Sequence, residues 1–247
     1  MPADLATGGV RFFSRFRHSC AVLFDGTVRC WGKDGSLEQT VPSGLAGVQA
    51  VSTGSSHTCA LYSNQTASGK VMCWGQSPQI DVPADLPPAK AVEATARFTC
   101  ALLVGGTVRC WGDSTPVPAL SNVIALRGGT DGHICAVVRQ QAGSMQRSLQ
   151  CWGINDYGQC TVPANLPDVV DVVAGQYHTC ALLADGSVRC WGWSTPSAVP
   201  ADLTPAGVQA VAIASANGHN CALLSTGAFR CWGAFSGANP TGTGPAC

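Results

Sequence analysis

Short apolar runs alternate with polar residues along this chain and are separated by turn residues at regular intervals. One run is typified by Val169, Val170, Val172 and Val173, a second by Cys-Ala-Leu-Leu, and a third by Val-Arg-Cys-Trp. Runs of this length bounded by Gly and Pro are strands, so three short strands per unit are predicted. A short fourth at 40–42 and 161–163 is also expected, where a proline would suit a sheet edge.

The pattern is periodic. HSCAVLFDGTVRCWG at 18–32 returns as HTCALYSNQTASGKVMCWG at 57–75, FTCALLVGGTVRCWG at 98–112, HICAVVRQQAGSMQRSLQCWG at 133–153, HTCALLADGSVRCWG at 178–192 and HNCALLSTGAFRCWG at 219–233. The Trp-Gly pairs begin at Trp31, Trp74, Trp111, Trp152, Trp191 and Trp232, a spacing of 37 to 43 residues. Six copies fill 1–247 as one predicted domain, with repeats of about 41 residues at approximately 2–41, 42–82, 83–117, 118–162, 163–199 and 200–247. A hairpin with one apolar face cannot bury it alone, whereas units stacked around an axis can. The prediction is an all-β, six-bladed β-propeller, with a seven-bladed arrangement containing an incomplete blade as the alternative. Pro2-Ala3-Asp4 and Pro245-Ala246-Cys247 fall at the same repeat position as Pro83-Ala84-Asp85, so the chain ends are expected to meet.

Turn chemistry sets a strand register. Gly26, Gly106, Gly186 and Gly227 close three-residue hairpin loops. Counting outward from Leu23 opposite Thr27 places Cys20 across from Cys30, and likewise Cys100 from Cys110, Cys180 from Cys190, and Cys221 from Cys231. The longer tips between Cys59 and Cys73, and between Cys135 and Cys151, differ by even numbers of residues, so parity survives. Opposed residues in a non-hydrogen-bonded pair lie about 4.5 Å apart at Cα, within reach of a disulfide. One disulfide within each blade is predicted. Cys160 and Cys247 remain, to bridge each other or to link to another chain.

Composition narrows the function classes. Fourteen cysteines point to an oxidising compartment, extracellular or secreted. MPADLATGG has no apolar leader, so a leader is expected to have been removed or to lie outside this segment. Fourteen basic and fourteen acidic residues balance, which argues against a nucleic-acid partner. No apolar stretch suits a membrane helix, so this segment is not expected to insert into a membrane.

The recurring pattern V-x-A-V-x-x-G-x-x-H-T-C-A-L-L-x-D-G-x-V-x-C-W-G resembles the repeat of the regulator of chromosome condensation family. Its short length is closer to the bacterial β-lactamase-inhibitor and plant crinkly-receptor branches. The resemblance implies a propeller. It implies no single function, because members of the family include a nucleotide-exchange factor, enzyme inhibitors and receptor ectodomains.

Residues at repeat positions read as structural. His18, His57, His133, His178 and His219 share one position, with Phe98 in the third copy, and each is expected to bond a neighbouring loop carbonyl. No metal site is expected, since closely spaced cysteine pairs are absent. Arg29, Arg109, Arg189 and Arg230 are expected to lay their stems on neighbouring surface. Asp4, Asp85 and Asp202 read as turn and cap residues, as do Asp25 and Asp185. No nucleophile or phosphate motif is present and only Glu38 and Glu93 are glutamates, so no catalytic residues, no cofactor and no enzyme activity are expected.

Residues that vary between copies are the binding candidates. Before each His position stand Phe16-Arg17, Arg97, Asp131 and Gln176-Tyr177, and after the Trp-Gly pairs stand Tyr157, Trp193 and Phe235. Arg, Tyr and Trp are favoured at interface hot spots. Asn64 opens a glycosylation sequon at a hairpin tip. The leading expectation is an extracellular recognition module that binds a protein through the variable loops of one propeller face. A carbohydrate-binding lectin using Trp193, Tyr157 or Phe235, and an enzyme inhibitor, are the alternatives.

Overall fold

Three strands form in every copy, in chain order and antiparallel, because the turn glycines bring each run back beside its predecessor. The sheets are β1 (Val10–Arg15), β2 (His18–Leu23), β3 (Val28–Gly32); β4 (Val48–Thr53), β5 (His57–Tyr62), β6 (Lys70–Gly75); and β7 (Ala89–Ala94), β8 (Phe98–Leu103), β9 (Val108–Gly112). They continue as β10 (Val123–Gly128), β11 (His133–Arg139), β12 (Arg147–Gly153); β13 (Val169–Ala174), β14 (His178–Leu183), β15 (Val188–Gly192); and β16 (Ala210–Ser215), β17 (His219–Leu224), β18 (Phe229–Gly233). The structure is a computed structural model that describes residues 18–32, 35, 37–64, 68–113, 116–141, 145–194, 198–203 and 208–233, with 10–15 by backbone alone. The chain ends expected to meet lie outside these residues. The chain divides into two compact units, Met1–Leu126 and Arg127–Cys247.

The predicted register holds. Cys20 pairs with Cys30, and Leu23 N–H donates to the Thr27 carbonyl at 2.9 Å across a turn in which Gly26 has φ 76°. All six disulfides form within their own sheets, at Cα separations of 4.0–4.1 Å. Each closes a short hairpin and contributes about 2–3 kcal/mol in the chain-entropy account.

Two expectations are corrected. No fourth strand forms at 40–42 or 161–163: Thr40 N–H turns back to the Leu37 carbonyl at 3.0 Å and Val162 N–H to the Cys160 carbonyl at 3.0 Å, while Pro42 and Pro163 have no N–H to give. The first-strand valines also do not alternate simply. A bulge between Val169 and Asp171 turns Val170 outward, 44% exposed, while Val169 and Val172 are fully buried. The same irregularity recurs at Val48/Ala50, Ala89/Ala91 and Ala210/Ala212.

Burial is achieved between successive copies rather than within one. Cys20, Val22 and Val28 of the first sheet pack with Leu45, Val48, Val51, Ala60 and Trp74 of the linker and second sheet. The second and third sheets share Cys59, Leu61, Ala89, Val92, Ala101 and Trp111, and the fifth and sixth share Leu182, Val188, Leu203, Ala210, Ala222 and Trp232. Three Pro-x-x-Leu linkers fold as turns that insert their leucines: Leu45 N–H reaches the Pro42 carbonyl at 3.3 Å, Leu86 N–H the Pro83 carbonyl at 3.0 Å and Leu203 N–H the Pro200 carbonyl at 3.0 Å. A fully buried leucine such as Leu203 contributes about 2 kcal/mol by leaving water.

Candidate functional site

The repeated histidines form a polar staple between copies. His18 Nε2 donates to Thr58 Oγ1 at 2.8 Å, and the Thr58 hydroxyl donates to the Glu38 carbonyl at 2.9 Å, which also accepts Trp74 Nε1–H at 2.9 Å. His57, Thr99, Gln79 and Trp111 repeat the arrangement, and in the second unit so do His133, Thr179, Gln159 and Trp191. The histidines therefore reach a linker carbonyl through a threonine hydroxyl of the next copy, not directly as expected. A hydroxyl is needed because the imidazole donor and the carbonyl cannot both be met by an apolar residue. His178 uses Asn220 Oδ1 at 2.8 Å. Burial, with His18 nearby as the lesser cause, lowers the pKa of His57 to about 4, and burial likewise lowers that of His178. Burial thus favours the neutral ring at His57 and at His178. Among the described residues no group of three His, Cys, Asp or Glu could hold a metal ion.

The repeat-position charges are also occupied. Arg109 makes a two-pronged pair with Asp85 at 2.8 and 2.9 Å, and Arg230 pairs with Asp202 at 3.1 Å. Arg109 and Arg230 thus do more than cover surface, and Asp85 and Asp202 join linker to strand. Asp25 keeps its turn role: Thr27 hydroxyl and N–H both donate to Oδ1, which lowers the carboxyl pKa.

The off-repeat candidates converge in the second unit. Tyr157 and Tyr177 ring centroids are 4.8 Å apart, and Trp193 meets Tyr177 edge-on at 6.3 Å. Tyr157 is 51% exposed, and Tyr177 and Trp193 are half-buried. Gln176 Nε2 donates to the Tyr177 hydroxyl at 3.0 Å. Burial raises the Tyr177 pKa, and the negative charge of Asp131 adds to it. Backbone bonds fix the loops: Thr130 N–H to the Gly175 carbonyl at 3.0 Å, Gln176 N–H to that of Asn217 at 3.1 Å, and Trp193 N–H to that of Tyr177 at 2.8 Å. Five predicted residues, Asp131, Tyr157, Gln176, Tyr177 and Trp193, are therefore brought together. Arg97 lies exposed in the first unit, away from this cluster in the chain. Phe16, Arg17 and Phe235 lie outside the described residues, as do Gln65 and Thr66 of the Asn64 sequon and Cys247. Cys160 makes no disulfide among the described residues, and burial pushes its thiol up to about 12.

Sequence reasoning passed over Gln159. It is fully buried, its side-chain oxygen accepts Tyr157 N–H at 2.9 Å, and its carbonyl holds the staple. The available signal was Glu38 and Gln159, both seven positions after the repeat tryptophan.

The Regulator of chromosome condensation (RCC1) repeat model matches residues 16–36, 89–115 and 169–195. The chain is similar to the entire ectodomain of the Physcomitrella patens receptor kinase CR4, at 25% identity and TM-score 0.70, over 88% of this chain and 59% of that one. It therefore spans less than two thirds of that ectodomain. It is also similar to the CRINKLY WD40 ectodomain of the Arabidopsis thaliana receptor kinase ACR4, at 24% identity and TM-score 0.69, covering 92% and 80%. Yeast RCC1 (Prp20), solved bound to Kap60, matches at 18% identity and TM-score 0.72, covering 94% and 71%. Three copies of this chain thus match the regulator of chromosome condensation repeat, and its six three-stranded, disulfide-bridged sheets share the all-β propeller fold of these structures over nearly its whole length.

Proposed function

We propose that this chain is an extracellular recognition module, without catalytic activity, that binds a protein partner through the variable loops around Tyr157, Tyr177 and Trp193. The observation that carries the reading is the ring contact of three aromatics that occupy no repeat position. Repeat residues are accounted for by packing and by the staple, whereas these rings stand half-open on loops held by backbone hydrogen bonds. Rigid Tyr and Trp side chains give large contact area at small entropic cost, which is why they dominate interface energetics. The six disulfides suit an oxidising compartment. The receptor ectodomains to which the chain is similar support the extracellular setting.

The test is a paired screen of the purified chain and its Trp193→Ala variant against an array of secreted and receptor-ectodomain proteins and against a glycan array. At least one protein is expected to bind the parent chain and to lose about tenfold or more in affinity with the variant, the cost of removing a hot-spot aromatic. Binding confined to glycans, or protein binding indifferent to Trp193, overturns the reading.

A further inference from the structure

The chemistry around the aromatic cluster goes further than its rings. Five segments build this patch: 129–132 (Gly-Thr-Asp-Gly), 154–159 (Ile-Asn-Asp-Tyr-Gly-Gln), 175–177 (Gly-Gln-Tyr), 192–194 (Gly-Trp-Ser) and 216–218 (Ala-Asn-Gly). They contain Asp131 and Asp156 and no Lys, Arg or His. The equivalent loop of the third copy carries Arg97 instead. The polarity therefore belongs to this patch and is not a property of the repeat.

Hydrogen bonds within this chain also tie the patch together. Asn155 Oδ1 accepts Cys160 N–H at 2.8 Å and its amide donates to Thr161 Oγ1 at 3.2 Å, closing the loop that presents Asp156 and Tyr157. Gly158 turns that loop with φ 79°, and Gln159, fully buried, holds Tyr157 N–H at 2.9 Å. Ile154 N–H reaches the Gly132 carbonyl at 3.0 Å, which fastens the loop to the one that carries Asp131. The charges of Asp131 and Asp156 both act on Tyr177, at the centre of the three rings.

A ring face is the negative end of an aromatic quadrupole and attracts a cation that lies within about 6 Å of its centroid. Two carboxylates beside such faces add Coulombic attraction and repel anions. An uncharged partner surface would gain the ring contact but desolvate the two carboxylates without answering their charge. We infer that this patch takes a lysine or arginine side chain presented by a basic peptide segment of the partner. The inference rests on the recognition reading above and specifies its chemistry.

The test uses the intact oxidised chain with two capped fluorescent probes, hexa-arginine and hexaglutamate, followed by fluorescence anisotropy at low and physiological salt. Hexa-arginine is expected to bind at least about tenfold tighter than hexaglutamate and to weaken with salt. Asp131→Asn with Asp156→Asn should weaken hexa-arginine about fivefold or more, and Trp193→Ala by a similar factor, while Arg97→Ala leaves it unchanged. Melting temperatures of the variants within a few degrees of the parent separate lost binding from lost folding. Equal binding of the two probes, or hexa-arginine binding indifferent to both the asparagine pair and Trp193→Ala, overturns the inference. An arrayed protein that depends on Trp193 but not on the two aspartates overturns the cation preference and leaves the recognition reading standing. Trp193-dependent hexa-arginine binding with no protein found on the array supports the cation preference and counts against the recognition reading.

Discussion

His57 shows how one side chain couples a repeat to its neighbour and to pH. Its imidazole is neutral in the fold and takes a proton only near pH 4, against 6.5 for the ordinary group. The unfolded chain therefore binds more protons between these values, so stability is full above about pH 6.5 and falls as the pH drops towards 4, by about 3 kcal/mol for a shift of this size. Thermal unfolding followed between pH 7 and pH 4 should show this loss. His57→Phe, which copies Phe98 of the third repeat, should flatten it. A second residue-scale expectation concerns Gly175, where an added Cβ would collide with the His178 ring. The other copies supply the comparison: Thr95 stands at this place before Phe98, and Ala216 before His219, which is half-buried where His178 is fully buried. Gly175→Ala should therefore push His178 off Asn220 and cost about 2 kcal/mol, read from chemical denaturation. At this scale much was legible. The common histidine position and its one exception were visible in the sequence, but the threonine acceptor was not, because it belongs to the next copy about forty residues on.

Each three-stranded sheet is held by its turn and its disulfide together. Gly112 illustrates why Trp is followed by Gly: it has φ 109°, and a Cβ there would come 2.9 Å from the Arg97 carbonyl. Replacing Cys100 and Cys110 by alanine should lower stability by about 2–3 kcal/mol without altering the β signal in circular dichroism, since Leu103 N–H still reaches the Thr107 carbonyl at 2.9 Å. A loss well beyond this would mean that the bridge carries packing as well as chain entropy. By contrast, Arg109→Ala should cost less than about 1 kcal/mol, because the pair with Asp85 is exposed. The hairpins were readable because glycine turns and strand parity are local rules. The first-strand bulge was not, since Val170 is as apolar as the buried Val169 and Val172 and only the register shift between Val169 and Asp171 turns it outward.

Across the whole chain, stability is a sum over copies and the contacts between successive copies. Non-reducing peptide mapping should therefore recover six bridges, each within one copy. A bridge between copies among these twelve cysteines would contradict the register on which the fold depends. Cys160 should resist alkylation at pH 8 in the folded chain and react once it is unfolded, because a thiol pushed up to about 12 carries almost no thiolate. No helix among the described residues is long and apolar enough to cross a membrane.

The repeat, the strand order within each copy and the disulfide pairing all follow from the order of residues, because turn geometry and side-chain parity act over a dozen positions. The same order of residues singles out those that depart from the repeat. Folding in three dimensions was needed to bring Tyr157, Tyr177 and Trp193 into contact while Arg97 stands apart in the chain, and to hand Thr58 and Thr99 to histidines of the preceding copy. Those contacts join residues whose separation in the chain carries no local signal, so packing between copies, and not pattern within them, sets where they meet.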